Sequence, residues 1–166
     1  SRCPVLPVRP KDAGAPRPVR TVLVPTDFSE DAALAAGAAT RILGDQRADP
    51  RVRIVLLHAY HVPIEATYLP APVLSDALSA ADAKAKRLVE DQAAKLRVSG
   101  IRVDTLPCEG DPSGAILEHA KSVGADLIAM GAHGRSGIDR LLLGSTAERV
   151  VASAPCPVLT VLRELV

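Results

Sequence analysis

Residues Ala125–Glu148 read ADLIAMGAHGRSGIDRLLLGSTAE, which parses as a buried strand, a glycine-rich loop and the start of a helix. Asp126 to Met130 is a short apolar run ending at a glycine, as expected of a strand covered on both faces in a parallel sheet. Gly131 and Gly134 follow. Without a Cβ they can take positive φ or let a ligand reach the amides, so the pair makes a candidate anion cradle. Gly144, Ser145 and Thr146 then open a helix, and Ser145 with Glu148 has the form of a capping box. Such a helix start offers unpaired amides and a partial positive charge to a phosphate.

Outward from this stretch, strands and helices alternate. Arg20–Thr26 is a β-branched strand halted by Pro25, which places Asp27 just past its carboxyl end. Ser29 caps the next helix, with Glu30 and Asp31 in a first turn that favours acids. Leu34, Ala38 and Ile42 recur along it, and Gly44 is placed to end it. IVLLHAY within 51–60 is a second buried strand. His58 and His61 at its exit have no carboxylate or cysteine nearby in sequence and read as strand-end packing groups. The connection Val62–Pro72 is long enough to lie over the mouth of a site.

Val73–Ser99 forms the longest helix, with Leu74, Leu78, Ala81, Ala85, Leu88 and Leu96 near one face and Gly100 at its end. Ile101–Leu106 alternates in polarity, as an edge strand would. Asp111 and Pro112 start a helix that buries Ile116, Ala120 and Val123 before Gly124. Glu109 and Asp111 read as loop and cap residues rather than an acid pair. After the opening stretch, Pro155 and Pro157 stop the last helix, and Val158–Leu162 forms the final strand. Five strands and four helices in alternation predict an α/β fold with a mainly parallel, doubly wound sheet. Residues alone do not say which strands are neighbours.

Composition narrows the function. The chain has 166 residues, 48% of them hydrophobic, enough for one sizeable core. Its 20 basic and 19 acidic residues leave a net charge of +1, which offers no global pull toward nucleic acid or an anionic membrane. Cys3, Cys108 and Cys156 match neither a disulfide framework nor a zinc spacing and suit a reducing compartment. No run approaches the roughly 18–20 apolar residues of a membrane span, and the beginning lacks the apolar core of a signal peptide. A cytoplasmic protein is the expectation. Residues 1–18, with five prolines and four basic side chains, read as a flexible arm before a domain over 19–166. Both a P-loop and a G-x-G-x-x-G fingerprint after the first strand are missing.

The spacing Gly131, two residues, Gly134, nine residues, Gly144 and Ser145, with VLVPTDFS at 22–29 and APCPVLTVL at 154–162, resembles the universal stress protein family. The resemblance runs from about Arg20 to Leu162 and implies a Rossmann-like sheet of order 3-2-1-4-5, as in adenine nucleotide alpha hydrolase-like folds. In such a sheet Asp27 and Gly131 face one crevice. A carboxylate at Asp27 can accept hydrogen bonds from an adenine amino group or ribose hydroxyls, and loop and helix amides can receive phosphates. The resemblance implies ATP as the ligand, with Mg2+ as an optional companion. It implies a base near Pro25, Thr26, Asp27, Ala59 and Met130. Phosphates are expected along Gly131, His133, Gly134, Arg135, Ser136, Gly137, Gly144, Ser145, Thr146 and Ala147. Ala59 stands where a larger aliphatic residue often packs on adenine, so a looser base contact is expected. No carboxylate near His133 in sequence orients it as a general base, and it reads as a loop residue.

The expected function is therefore a nucleotide-responsive regulatory module with little catalysis. A slow ATPase or phosphotransferase and a nucleotide-independent interaction protein are the alternatives. Val158, Leu159, Val161 and Leu162 make an apolar run that the implied order puts at a sheet edge. Together with the family habit of pairing this strand, that run predicts a homodimer.

Overall fold

A computed structural model describes residues 18–46, 48–61, 68, 70–134 and 143–162. The N-terminal arm up to residue 17, most of the 62–69 connection, Arg135, Ser136, Gly137 and the last four residues lie outside the described residues. The elements run β1 (Thr21–Pro25), α1 (Glu30–Leu43), β2 (Arg53–Tyr60), α2 (Ala71–Arg97), β3 (Arg102–Glu109), α3 (Pro112–Ser122), β4 (Leu127–Gly131), α4 (Ser145–Ser153) and β5 (Val158–Val161). All four strand pairings are parallel and the order is β3-β2-β1-β4-β5, as expected.

Period-two alternation divides the strands between two cores. Val22, Val24, Ile54, Leu56, Leu127, Ala129, Leu159 and Val161 pack with α1 and α2. Leu23, Val55, Leu57, Ile128, Met130 and Val158 pack with α3 and α4 on the other face. The apolar β5 side chains are thus consumed by the cores. At the amino ends of the strands, the Asp126 carboxylate accepts the amides of Arg20 and Thr21, each at 2.9 Å, which ties the start of β1 to β4.

Two helix faces differ from the sequence expectation. On α1, Leu34 and Ile42 are each 41% exposed, while Ala32, Ala35, Ala36, Ala39 and Leu43 are buried. Short side chains let this helix lie close to β4, and Leu34 and Ile42 are left outside. On α2 the buried line is Ala85, Val89 and Ala93, and Leu88 faces outward. Gly44 does not stop α1 by a left-handed turn, since its φ is −53° and a short 3₁₀ turn continues to Gln46. Gly100 and Gly124 do end their helices that way, at φ +81° and +63°.

Candidate functional site

The sheet order reverses between β1 and β4, and the connections leaving these two strands meet at their carboxyl ends. Beyond β1, the Thr26 hydroxyl donates to Gln92 Oε1 on α2 at 2.8 Å and accepts the Phe28 amide at 3.0 Å. Asp27 Oδ1 accepts the Ser29 amide at 3.0 Å, and Ser29 caps α1 by accepting the Ala32 amide at 3.3 Å. The tight turn forces Phe28 to φ +65°, and its ring lies 4.5 Å from the His58 imidazole. His58 Nδ1 is 2.9 Å from the Thr26 carbonyl, which bears out its reading as a strand-end packing and hydrogen-bonding group.

From the β4 side, Gly134 comes so close to Asp27 that a Cβ on the glycine would sit 3.0 Å from Asp27 Oδ2. Ala132 donates its amide to the Val161 carbonyl at 2.8 Å, and its own carbonyl accepts the Gly144 amide at 2.9 Å. That second bond brings the start of α4 back to the end of β4. The glycines serve close approach here, because Gly131, Gly134 and Gly144 all have negative or extended φ.

The expected capping box does not form. Gly144, extended at φ −61° and ψ 148°, is the N-cap of α4, and Ser145 is the first helical residue. A Cβ at position 144 would lie 3.1 Å from the Ala132 carbonyl oxygen, so a serine cap is sterically disfavoured at that position. With no side-chain cap, the first amides of α4 have no intrahelical acceptor and remain donors for a ligand.

A cavity of about 240 Å³ opens between these segments. Its lining brings together Pro25, Thr26, Asp27, Ala59, Met130, Gly131, His133, Gly134, Gly144, Ser145, Thr146 and Ala147, every described residue of the expected site. Sequence reading missed Ala32, Leu57, Pro112, Ile116 and Ala132, which line it too. Leu57 and Ile116 are fully buried and widen the apolar wall beside the small Ala59. The signal for Pro112 and Ile116 was present, since a helix opening straight after a parallel strand starts at the same end of the sheet as the crevice. Behind Ala59, in register on β3, burial and then the nearby Glu118 charge push the Cys108 thiol above its ordinary pKa, which makes it a poor nucleophile.

The absence of an orienting carboxylate for His133 was a sequence-level expectation that the structure overturns. Asp31, on the first turn of α1, brings Oδ2 to 3.3 Å from the His133 amide and 3.4 Å from its Nδ1. The two residues are 102 positions apart, so no local pattern could pair them. Among the described residues, no group of three or more His, Cys, Asp or Glu is arranged to hold a metal ion, and no helix is long and apolar enough to cross a membrane.

Comparison with known proteins agrees with this fold. The universal stress protein family model matches residues 18–161. Universal stress protein MJ0531 of Methanocaldococcus jannaschii is 34% identical over 145 residues, covering 86% of this chain and 81% of its own. A universal stress protein of Thermus aquaticus is 36% identical over 143 residues, covering 86% and 98%. Among solved structures, hypothetical protein MJ0577 superposes with a TM-score of 0.77 at 27% identity, over 90% of this chain and 100% of its own. A universal stress protein in complex with cAMP gives 0.59 at 26%, over 88% and 98%. With the family model spanning residues 18–161, nearly all of the described chain, this chain belongs to the universal stress protein family.

Proposed function

We propose that the protein is an ATP-binding regulatory module, in which an adenine nucleotide occupies the crevice between β1 and β4 and its occupancy alters assembly or partner choice. The observation that carries this reading is the convergence of Asp27, the glycine loop and the uncapped start of α4 on one cavity. In this reading Leu57, Ala59, Ile116 and Met130 contact the base, Asp27 accepts from the base or ribose, and the α4 amides receive phosphates. Arg135, Ser136 and Gly137 extend the phosphate contacts. Support comes from the relative solved with cAMP. Mg2+ would enter as a companion of the phosphates, held by them and one carboxylate, as is usual for this ion.

Titration calorimetry with ATP, AMP, cAMP and adenosine tests the reading. Saturable binding that Asp27→Ala weakens supports it, and no binding of any of the four rejects it. A slow hydrolase is the second reading, favoured by the contact between Asp31 and His133. Without a Walker lysine, we expect turnover no faster than about one per minute, against about 1–100 per second for kinases. Phosphate release at ordinary enzyme rates, abolished by His133→Ala, would promote that reading. The remaining parts of the proposal are a cytoplasmic location, consistent with Cys108 as a free thiol, and a homodimer formed through β5.

A further inference from the structure

The geometry points to His133, held by Asp31, as a proton-carrying contact for the phosphates of the bound ligand, so that binding a phosphorylated nucleotide draws a proton onto its imidazole. The inference rests on the nucleotide reading of the cavity and adds a proton to the phosphate contact expected of this side chain.

Charge in the cavity supplies the first argument. Its described lining contains no Lys or Arg, and His133 is the one basic side chain there. Around that imidazole stand Asp31 from α1 and Asp27 from the β1–α1 connection, whose Oδ2 abuts Gly134, while α4 carries Glu148 in its first turn. Opposing these acids are the positive amino ends of α1 and α4, which are partial charges only. A polyanion entering beside an imidazole favours its protonated form, and an imidazole is the side chain that acquires charge near neutral pH.

Geometry supplies the second argument. Asp31 Oδ2 lies 3.4 Å from Nδ1 and also accepts the His133 amide, so one carboxylate sets both the backbone and the ring. The side chains are only 14% and 12% accessible, which limits the ring's freedom. With Nδ1 set against the carboxylate, Nε2 is the ring atom assigned to the phosphates. Nε2 lies across the ring from Asp31, and His133 borders the same cavity as Ser145 and Thr146. On phosphate binding the proton arrives from solvent at Nε2, which then donates to a phosphate oxygen. No covalent bond between heavy atoms changes. Asp31 is a positioning residue in this arrangement.

Proton NMR of the imidazoles tests the proposal, because the chain has only four histidines and His133→Gln identifies the resonance. With ATP, the titration midpoint of the His133 resonance should move upward, and with adenosine it should stay. Calorimetry in two buffers of different ionisation heat should show proton uptake with ATP that is lost in His133→Gln. At pH 6, ATP affinity should fall about ten-fold in that variant, the scale of a charge-assisted hydrogen bond, with adenosine affinity unchanged. In Asp31→Asn the ATP-induced movement of the midpoint should shrink. If ATP binds with no movement and no uptake, or if uptake survives in His133→Gln, the proposal is overturned. Inorganic pyrophosphate separates it from the nucleotide reading. A pyrophosphate-driven shift without ATP binding would support the histidine role alone, and no binding of either would reject both.

Discussion

Gly131 at the end of β4 is pressed against Asp31 on α1, so that a Cβ on the glycine would fall 2.8 Å from Asp31 Cβ and 3.0 Å from the Ala32 amide nitrogen. This glycine is required by helix-on-strand packing, and the same approach carries the Asp31 carboxylate to His133. We predict that Gly131→Ala destabilises the fold by about 1–3 kcal/mol, the usual cost of overpacking a close contact, because backbone atoms of α1 must move. Urea unfolding checks it. An unchanged midpoint would mean that α1 can slide without cost.

Gly134 offers the contrasting case, because the atom that its Cβ would meet at 3.0 Å is a side-chain oxygen, Asp27 Oδ2. Gly134 is exposed, so Gly134→Ala should leave stability within about 0.5 kcal/mol while displacing that carboxylate and weakening ATP binding. Asp27→Ala should weaken adenosine compounds by about 1–3 kcal/mol, the scale for hydrogen bonds to a charged group. Because Asp27 also accepts the Ser29 amide, Asp27→Asn separates the two roles, keeping the turn and removing the charge. Calorimetry on all three variants decides, and normal ATP affinity throughout would remove Asp27 from the site.

Much of this arrangement was legible in the chain, for reasons that individual residues make plain. Pro25, Gly131 and Pro157 punctuate short apolar runs, so the strands stand out. Asp111 followed by Pro112 announced α3, and Asp111 accepts the Gly114 amide as a cap should. The inner face of α1 was not legible, because alanine is weakly hydrophobic and Leu34 and Ile42 carried the louder periodic signal toward solvent. The N-cap of α4 was missed because Ser145 matches a side-chain cap pattern, whereas the close contact of Gly144 with Ala132 is a tertiary fact. Asp31 was read only as an acid suited to a helix start. Its second partner, His133, comes from the far side of the chain's topology.

Acid should loosen the α3 start. The Ser113 hydroxyl, and after it the Gly114 amide, hold the Asp111 carboxyl below its ordinary pKa of 3.8. A carboxylate depressed in the folded state contributes stability that is fully present above its unfolded pKa and is lost as pH falls through the folded value. The loss therefore begins near pH 4 and continues below it. We expect Asp111→Asn to flatten the acid limb of a stability-against-pH curve without altering its slope above pH 5. Unfolding curves between pH 2 and 7 check this, and an identical acid limb in the variant would assign the loss to other carboxylates.

The proposed dimer is best tested through the main chain of β5. Val161 is only 6% exposed and Leu159 packs in the same core, so a charge placed on either would unfold the sheet before it tested association. The Ile128 amide donates to the Pro157 carbonyl and the Ala132 amide to the Val161 carbonyl, so these positions of β5 turn their main-chain groups toward β4. By the two-residue repeat of a strand, Val158 and Thr160 turn theirs to the outer edge. Proline is tolerated in an edge strand where its nitrogen faces away from the sheet, and there it blocks further pairing. We predict that Thr160→Pro converts a two-fold dimer to monomer at micromolar concentration. Leu162, 42% exposed just past the strand, lies where the partner strand would cover it, and Leu162→Lys should act in the same direction more weakly. Sedimentation equilibrium reads both variants. A parent protein that is already monomeric, or a dimer that Thr160→Pro leaves intact, would exclude pairing through this edge.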